Sequence, residues 1–138
     1  MAAAQQFPYV AVDPSLGAAS ALPYVPLTLQ RAELSVTVSA LVDSGAALNA
    51  LPYGIGLQPG AVWEEQMIPL RLTGNLAALE ARALLLTGTL DRFPSVRLAF
   101  AWTRNNDVPV ILGQVNFFME FDVSFFRSRL LFEVGPKK

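Results

Sequence analysis

Leu34-Ser35-Val36-Thr37-Val38-Ser39-Ala40-Leu41-Val42-Asp43-Ser44-Gly45-Ala46 changes character once along its length. Leu34, Val36 and Val38 alternate with Ser35, Thr37 and Ser39, the period of a strand with one face buried. The strand then ends by presenting a carboxylate, a hydroxyl and a glycine. A carboxylate at a strand end can activate water, a neighbouring hydroxyl can lock a loop by hydrogen bonding, and glycine lets backbones approach closely. Upstream, Tyr24 to Leu29 reads as a short strand and Gln30-Arg31-Ala32-Glu33 as a polar connection, so the two strands form a hairpin that delivers Asp43.

Asp, Ser and Gly are also ordinary turn residues, and such a triplet arises by chance in roughly one chain of this length in fifteen. A second segment is needed to give it meaning. Val108-Pro109-Val110-Ile111-Leu112-Gly113-Gln114 is a short, largely β-branched and apolar run closed by glycine. Read alone it is a buried strand with a glycine end. Taken in this order and at this spacing, the two segments are far more specific, with room between them for a hairpin and two or three further strands.

On these two segments the chain resembles the retropepsins, the single-lobed aspartic peptidases of retroviruses, and more closely their bacterial relatives. The resemblance covers about residues 22 to 134. It implies an all-β fold: a single-lobe closed β-barrel with a flap hairpin and one short helix near the C-terminus. Residues 1–21 are then an N-terminal extension and 135–138 a C-terminal tail. Asp43 would be the catalytic carboxylate. Ser44 would tie the two active-site loops of a dimer together, Gly45 would offer its carbonyl to the substrate backbone, and Ala46 is the usual small residue that follows. Ile111, Leu112 and Gly113 would brace the catalytic loop, and Thr73, Gly74 and Asn75 fall at the flap. Two features depart from the retroviral pattern: Ala47 stands where an acid is usual, and Gln114 where an arginine is usual. Both partners of that ion pair are missing together, so no charge is stranded.

Composition points the same way by exclusion. The chain has 138 residues, enough for one domain with a real core. It has no histidine and no cysteine. Ser-His-Asp hydrolysis, Cys-His peptidases, disulfides and ordinary zinc sites are therefore ruled out as readings. Carboxylates are the remaining acid and base groups, and neither a metal nor another cofactor is expected. Net charge is −1, and the only lysines are Lys137 and Lys138, which argues against a nucleic-acid partner. Charged residues make up only 15% against 53% apolar, which fits a surface partly covered by another chain. No segment reads as membrane-spanning and the N-terminus lacks a secretion signal, so the expected location is cytoplasmic.

Five aspartates are present, but only Asp43 lies in an Asp-Ser-Gly context. One half-site per chain requires a two-fold homodimer with the two Asp43 carboxylates facing across the axis. The expected activity is hydrolysis of peptide or protein substrates. The alternative reading is a catalytically weak or inactive dimerisation or peptide-binding module on the same fold.

Elsewhere Leu48 to Leu51 reads as a brief strand. Ile68, Leu70 and Leu72 alternate, as do Val96, Leu98, Phe100 and Trp102. Gly54, Gly56, Pro59 and Gly60 read as loop markers. Gln114 to Glu120 reads as one or two helical turns, followed by a terminal hairpin around Arg127-Ser128. Asn75 to Leu86 has helical propensity, yet the resemblance makes it the descending strand of the flap with Gly74-Asn75 at or near its tip, and that reading is preferred. Arg71, Arg82, Arg92, Arg97 and Arg104 read as solvated or paired with nearby acids. The phenylalanines from Phe117 to Phe132 read as core.

Overall fold

The structure is a computed structural model and describes residues 3–138. The hairpin of the opening stretch is formed by β4 (Tyr24–Arg31) and β5 (Leu34–Val42), in register from Tyr24 opposite Leu41 to Arg31 opposite Leu34. Val25, Leu27 and Leu29 of β4 and Ala40 and Val42 of β5 point into the core. The outer face pairs the hydroxyls of Thr28 and Thr37 at 2.9 Å.

Four more strands complete a ring: β6 (Asn49–Leu51), β8 (Ala81–Thr89), β9 (Val96–Thr103) and β10 (Val110–Leu112). The order is β4-β5-β10-β6-β9-β8, and β8 returns to β4 through Thr28 opposite Thr89 and Gln30 opposite Thr87. The result is a closed six-stranded barrel, which leaves no ring strand with an open edge along its paired length. Its interior is filled by side chains including Leu27, Leu86, Leu98, Phe100, Trp102 and Leu112, all at most 2% exposed. Burying each such side chain contributes about 1.5–3 kcal/mol. A short strand, β7 (Pro69–Leu70), adds to the start of β8.

The flap region splits where local and tertiary preferences meet. Gly74–Leu76 forms a 3-10 turn, and Leu79 N–H donates to Leu76 O at 3.0 Å. The strand begins at Ala81. The helical propensity of Asn75 to Glu80 is thus expressed only as turns, because an isolated helix this short is unstable in water. From Ala81 onward β8 gains ladder hydrogen bonds to β9, β4 and β7, which a helix would forgo. Gly74 takes φ +63°, a left-handed conformation that suits glycine at the chain reversal.

One helix was not anticipated. Tyr53–Leu57 forms α1 between β6 and the loop that leads to β7, although Gly54 and Gly56 mark loops in the sequence. The glycine serves packing here: a Cβ on Gly56 would collide with the Trp102 indole. Trp102 Nε1–H donates to Tyr53 O at 3.1 Å, and the Tyr53 and Trp102 rings stack at 5.6 Å. The helix expected near the C-terminus is α2 (Phe117–Glu120).

A second, three-stranded sheet joins the two ends of the chain. β11 (Phe121–Phe126) and β12 (Leu131–Pro136) form the terminal hairpin, turning through Arg127–Arg129. β1 (Gln5–Pro8) pairs antiparallel with β12 on its other side. Phe7 stacks on Phe132 at 5.6 Å and Tyr9 meets it edge-on at 5.8 Å. Gln5–Pro8 and the last two residues of β12 lie outside the 22–134 span of the resemblance, yet they complete this sheet. A small ribbon of β2 (Val10–Ala11) and β3 (Ala21–Leu22) links it to the barrel. Among the described residues, no helix is long and apolar enough to cross a membrane.

Candidate active site

The loop after β5 is held from both sides by the segment around β10. β5 and β10 run parallel, with Leu41 beside Ile111 and Val42 beside Leu112. Asp43 N–H continues the ladder by donating to Leu112 O at 2.9 Å. The chain then turns. Asp43 Oδ1 accepts from Gly45 N–H at 3.0 Å, and Asp43 O accepts from Ala46 N–H at 3.1 Å. On the far side of the turn, Gln114 N–H donates to Ala46 O and Val115 N–H to Ala47 O, each at 2.9 Å. The loop from Asp43 to Ala47 is therefore clamped by one continuous segment, Leu112 to Val115. The Asp43 side chain is half-buried.

Two asparagines lie behind this clamp, and the sequence reading missed both. Asn49 is completely buried, and its Oδ1 accepts from Gly113 N–H at 2.8 Å. Its Nδ2 donates to Ala99 O at 3.0 Å and to Asn116 Oδ1 at 3.1 Å. Asn116 Oδ1 also accepts from Ala99 N–H, and its Nδ2 donates to Arg97 O at 2.7 Å. The network ties the brace to β9. Asn49→Ala leaves the buried Gly113 N–H without its acceptor, a cost of about 1–3 kcal/mol. Urea unfolding is expected to show that loss, and an unchanged midpoint would remove Asn49 from the bracing role.

The position usually held by arginine has a different function here. Gln114 Nε2 donates to Ser44 O at 2.8 Å, so a neutral hydrogen bond secures the tip of the loop. No acid faces it from Ala47.

Asp43, Gly45, Ala46, Thr73, Gly74, Asn75 and Ile111 all line one cavity of about 330 Å³. The structure thus brings the Asp-Ser-Gly loop, the flap turn and the brace to a single cleft. Ser44, Leu112 and Gly113 are not part of the lining. Ser44 is exposed, Leu112 is fully buried in the core, and Gly113 packs against the loop backbone from behind. Ala47, Leu48, Ala50, Leu72, Leu76 and Pro109 make most of the remaining wall apolar. Such a wall suits apolar side chains. Arg71 also lines the cavity. Among the other arginines, Arg82 does pair with Glu80, at 3.8 Å, whereas Arg104 lies over the Tyr53 and Trp63 rings. No group of histidine, cysteine, aspartate and glutamate side chains able to hold a metal occurs among the described residues.

Comparison with solved structures places this architecture. The chain is similar to a crystal structure of a retropepsin-like aspartic protease from Rickettsia conorii, with a TM-score of 0.63 and 12% sequence identity. The match covers 96% of this chain and 91% of the other. No protein-family model matches the chain. No curated protein matches it at a significant level. The likeness is one of architecture: the chain has the all-β, single-lobed retropepsin-like fold.

Proposed function

We propose that this chain is a homodimeric aspartic endopeptidase that cleaves extended, apolar-flanked peptide segments. The observation that carries the reading is Asp43. It sits in an Asp-Ser-Gly loop on a retropepsin-like barrel, and it shares its cleft with the flap turn Thr73-Gly74-Asn75. Each chain supplies one such carboxylate, so the reaction needs two chains related by a two-fold axis. Uncovered apolar side chains support a second copy: Val115, at the end of the clamping segment, is 47% exposed and Met119 of α2 is 60% exposed.

In the dimer the two Asp43 carboxylates would face each other about 3 Å apart and share one proton, since both cannot ionise at that distance. The ionised partner takes a proton from water as the water attacks the scissile carbonyl. The protonated partner hydrogen-bonds the carbonyl oxygen and stabilises the charge that develops there. Gly45 offers its carbonyl to the substrate backbone, and the Ser44 hydroxyl reaches the loop of the other chain. The flap turn covers the substrate and excludes bulk water.

Ala47 favours one second reading, a peptide-binding module with weak or no catalysis, because no acid is present there to hold a substrate backbone amide. Two measurements test the proposal. Sedimentation is expected to show a dimer at micromolar concentration, and monomer alone across acidic and neutral pH would overturn the two-chain site. Peptide hydrolysis by the wild type beside Asp43→Asn separates the peptidase from the binding module.

A further inference from the structure

We infer that Arg71 forms a subsite for an acidic side chain of the substrate; the inference rests on the peptidase reading for its cleft but has its own test. Among the described residues, Arg71 is the only cation lining the cavity and Asp43 the only carboxylate. Its backbone is anchored on both sides. Leu70 is half-buried and Leu72, 7% exposed, packs in a cluster with Ala50, Ala81, Ala101 and Ile111. The residue between them is exposed. The guanidinium is thus fixed at its root and free at its head.

It also has nothing to release before binding. Arg31, Arg82 and Arg127 donate to the carbonyls of Gly60, Trp63 and Ala18, and Arg104 and Arg129 lie over aromatic rings. Among the described residues, Arg71 makes no side-chain hydrogen bond and no ion pair. A planar fork of donors without a partner matches a carboxylate in two parallel hydrogen bonds. Charge points the same way. A two-fold site with one shared proton holds one net negative charge at the Asp43 pair and two positive charges at the paired Arg71 side chains. Such a cleft draws in anionic segments. The apolar wall would take the residues beside the scissile bond, and Arg71 would select an acid on the flap side, a few positions away.

The test uses peptide pairs that differ only as Glu or Gln, scanned over four positions on each side of the cleaved bond. For wild type, one position is expected to favour Glu roughly tenfold in kcat/KM. The preference should fade as pH falls through about 4.3, where the Glu side chain protonates, and shrink with added salt. Arg71→Gln is expected to bring the Glu-to-Gln ratio to near one, and Arg71→Glu to favour Lys at that position. The same pairs titrated against Asp43→Asn by fluorescence anisotropy read the subsite without turnover. Cleavage with equal rates for Glu and Gln at every position, unaltered by Arg71→Gln, overturns the subsite and leaves the peptidase reading intact. Selective binding of the Glu peptide with no cleavage by wild type keeps the subsite and overturns the peptidase reading. Neither binding nor cleavage of any peptide overturns both.

Discussion

Asp43→Asn is expected to reduce peptide hydrolysis on the order of 10³-fold or more, while the barrel and the proposed dimer remain intact. In a two-fold site one substitution removes both carboxylates, so no base is left to take the proton from water. The amide is nearly isosteric and Oδ1 can still accept from Gly45 N–H, so the turn that follows should keep its shape. Dimer affinity should hold or rise, because the facing charge is gone. Chelators should have no effect on wild-type activity. The measurement is kcat/KM on a fluorogenic peptide across pH, with circular dichroism and sedimentation on the same samples. Hydrolysis that survives the substitution, or that stops on adding a chelator, would place the chemistry elsewhere.

The parts legible in the sequence were those with contiguous signals. The alternation from Leu34 to Val42 marked β5 with its observed bounds, and the Asp-Ser-Gly that follows marked the turn at its end. Ile111-Leu112-Gly113 was legible for the same reason, an apolar run with an abrupt glycine end. Asn49 was not. A lone asparagine beside Leu48 and before Ala50-Leu51 carries no local sign of burial. Its partners Gly113, Asn116 and Ala99 are distant in sequence and meet it only because β6 lies between β10 and β9. Gln114 was visible as a missing arginine, but its bond to Ser44 O depends on how the loop tip folds back. α1 was hidden by its glycines, of which Gly56 serves close packing on Trp102 and Gly54 lies against Asn106. β1 was hidden because Gln5-Gln6-Phe7-Pro8 is short and contains proline; its pairing comes from β12. Arg71 read as one more surface arginine until the flap loop placed it in the cleft.

Gly113→Ala is expected to be the most damaging single methyl group in this region. A Cβ at Gly113 would lie 2.5 Å from Leu48 O and 2.8 Å from Ala46 O, far inside normal contact distance. Both obstacles are backbone atoms, so no side chain can swing aside. One of the two segments must move. If β10 retreats, the bond from Asp43 N–H to Leu112 O lengthens. If the loop moves, the bond from Gln114 N–H to Ala46 O is lost, and with it the position of Asp43. The expected cost is about 3 kcal/mol of folding stability, at the upper end of ordinary overpacking. Activity should fall further than stability explains, on the order of 10²-fold, because displacing a reacting group by about 1 Å is enough for that. Gly17→Ala is the matched control. Its added Cβ meets nothing within 4 Å, so its penalty is only that of φ +54°, about 1–2 kcal/mol. Urea unfolding of both variants, read beside kcat/KM of the folded fraction, separates close packing from backbone conformation. Equal stability loss in the two variants, with activity of Gly113→Ala retained, would mean that the brace does not position the Asp43 loop.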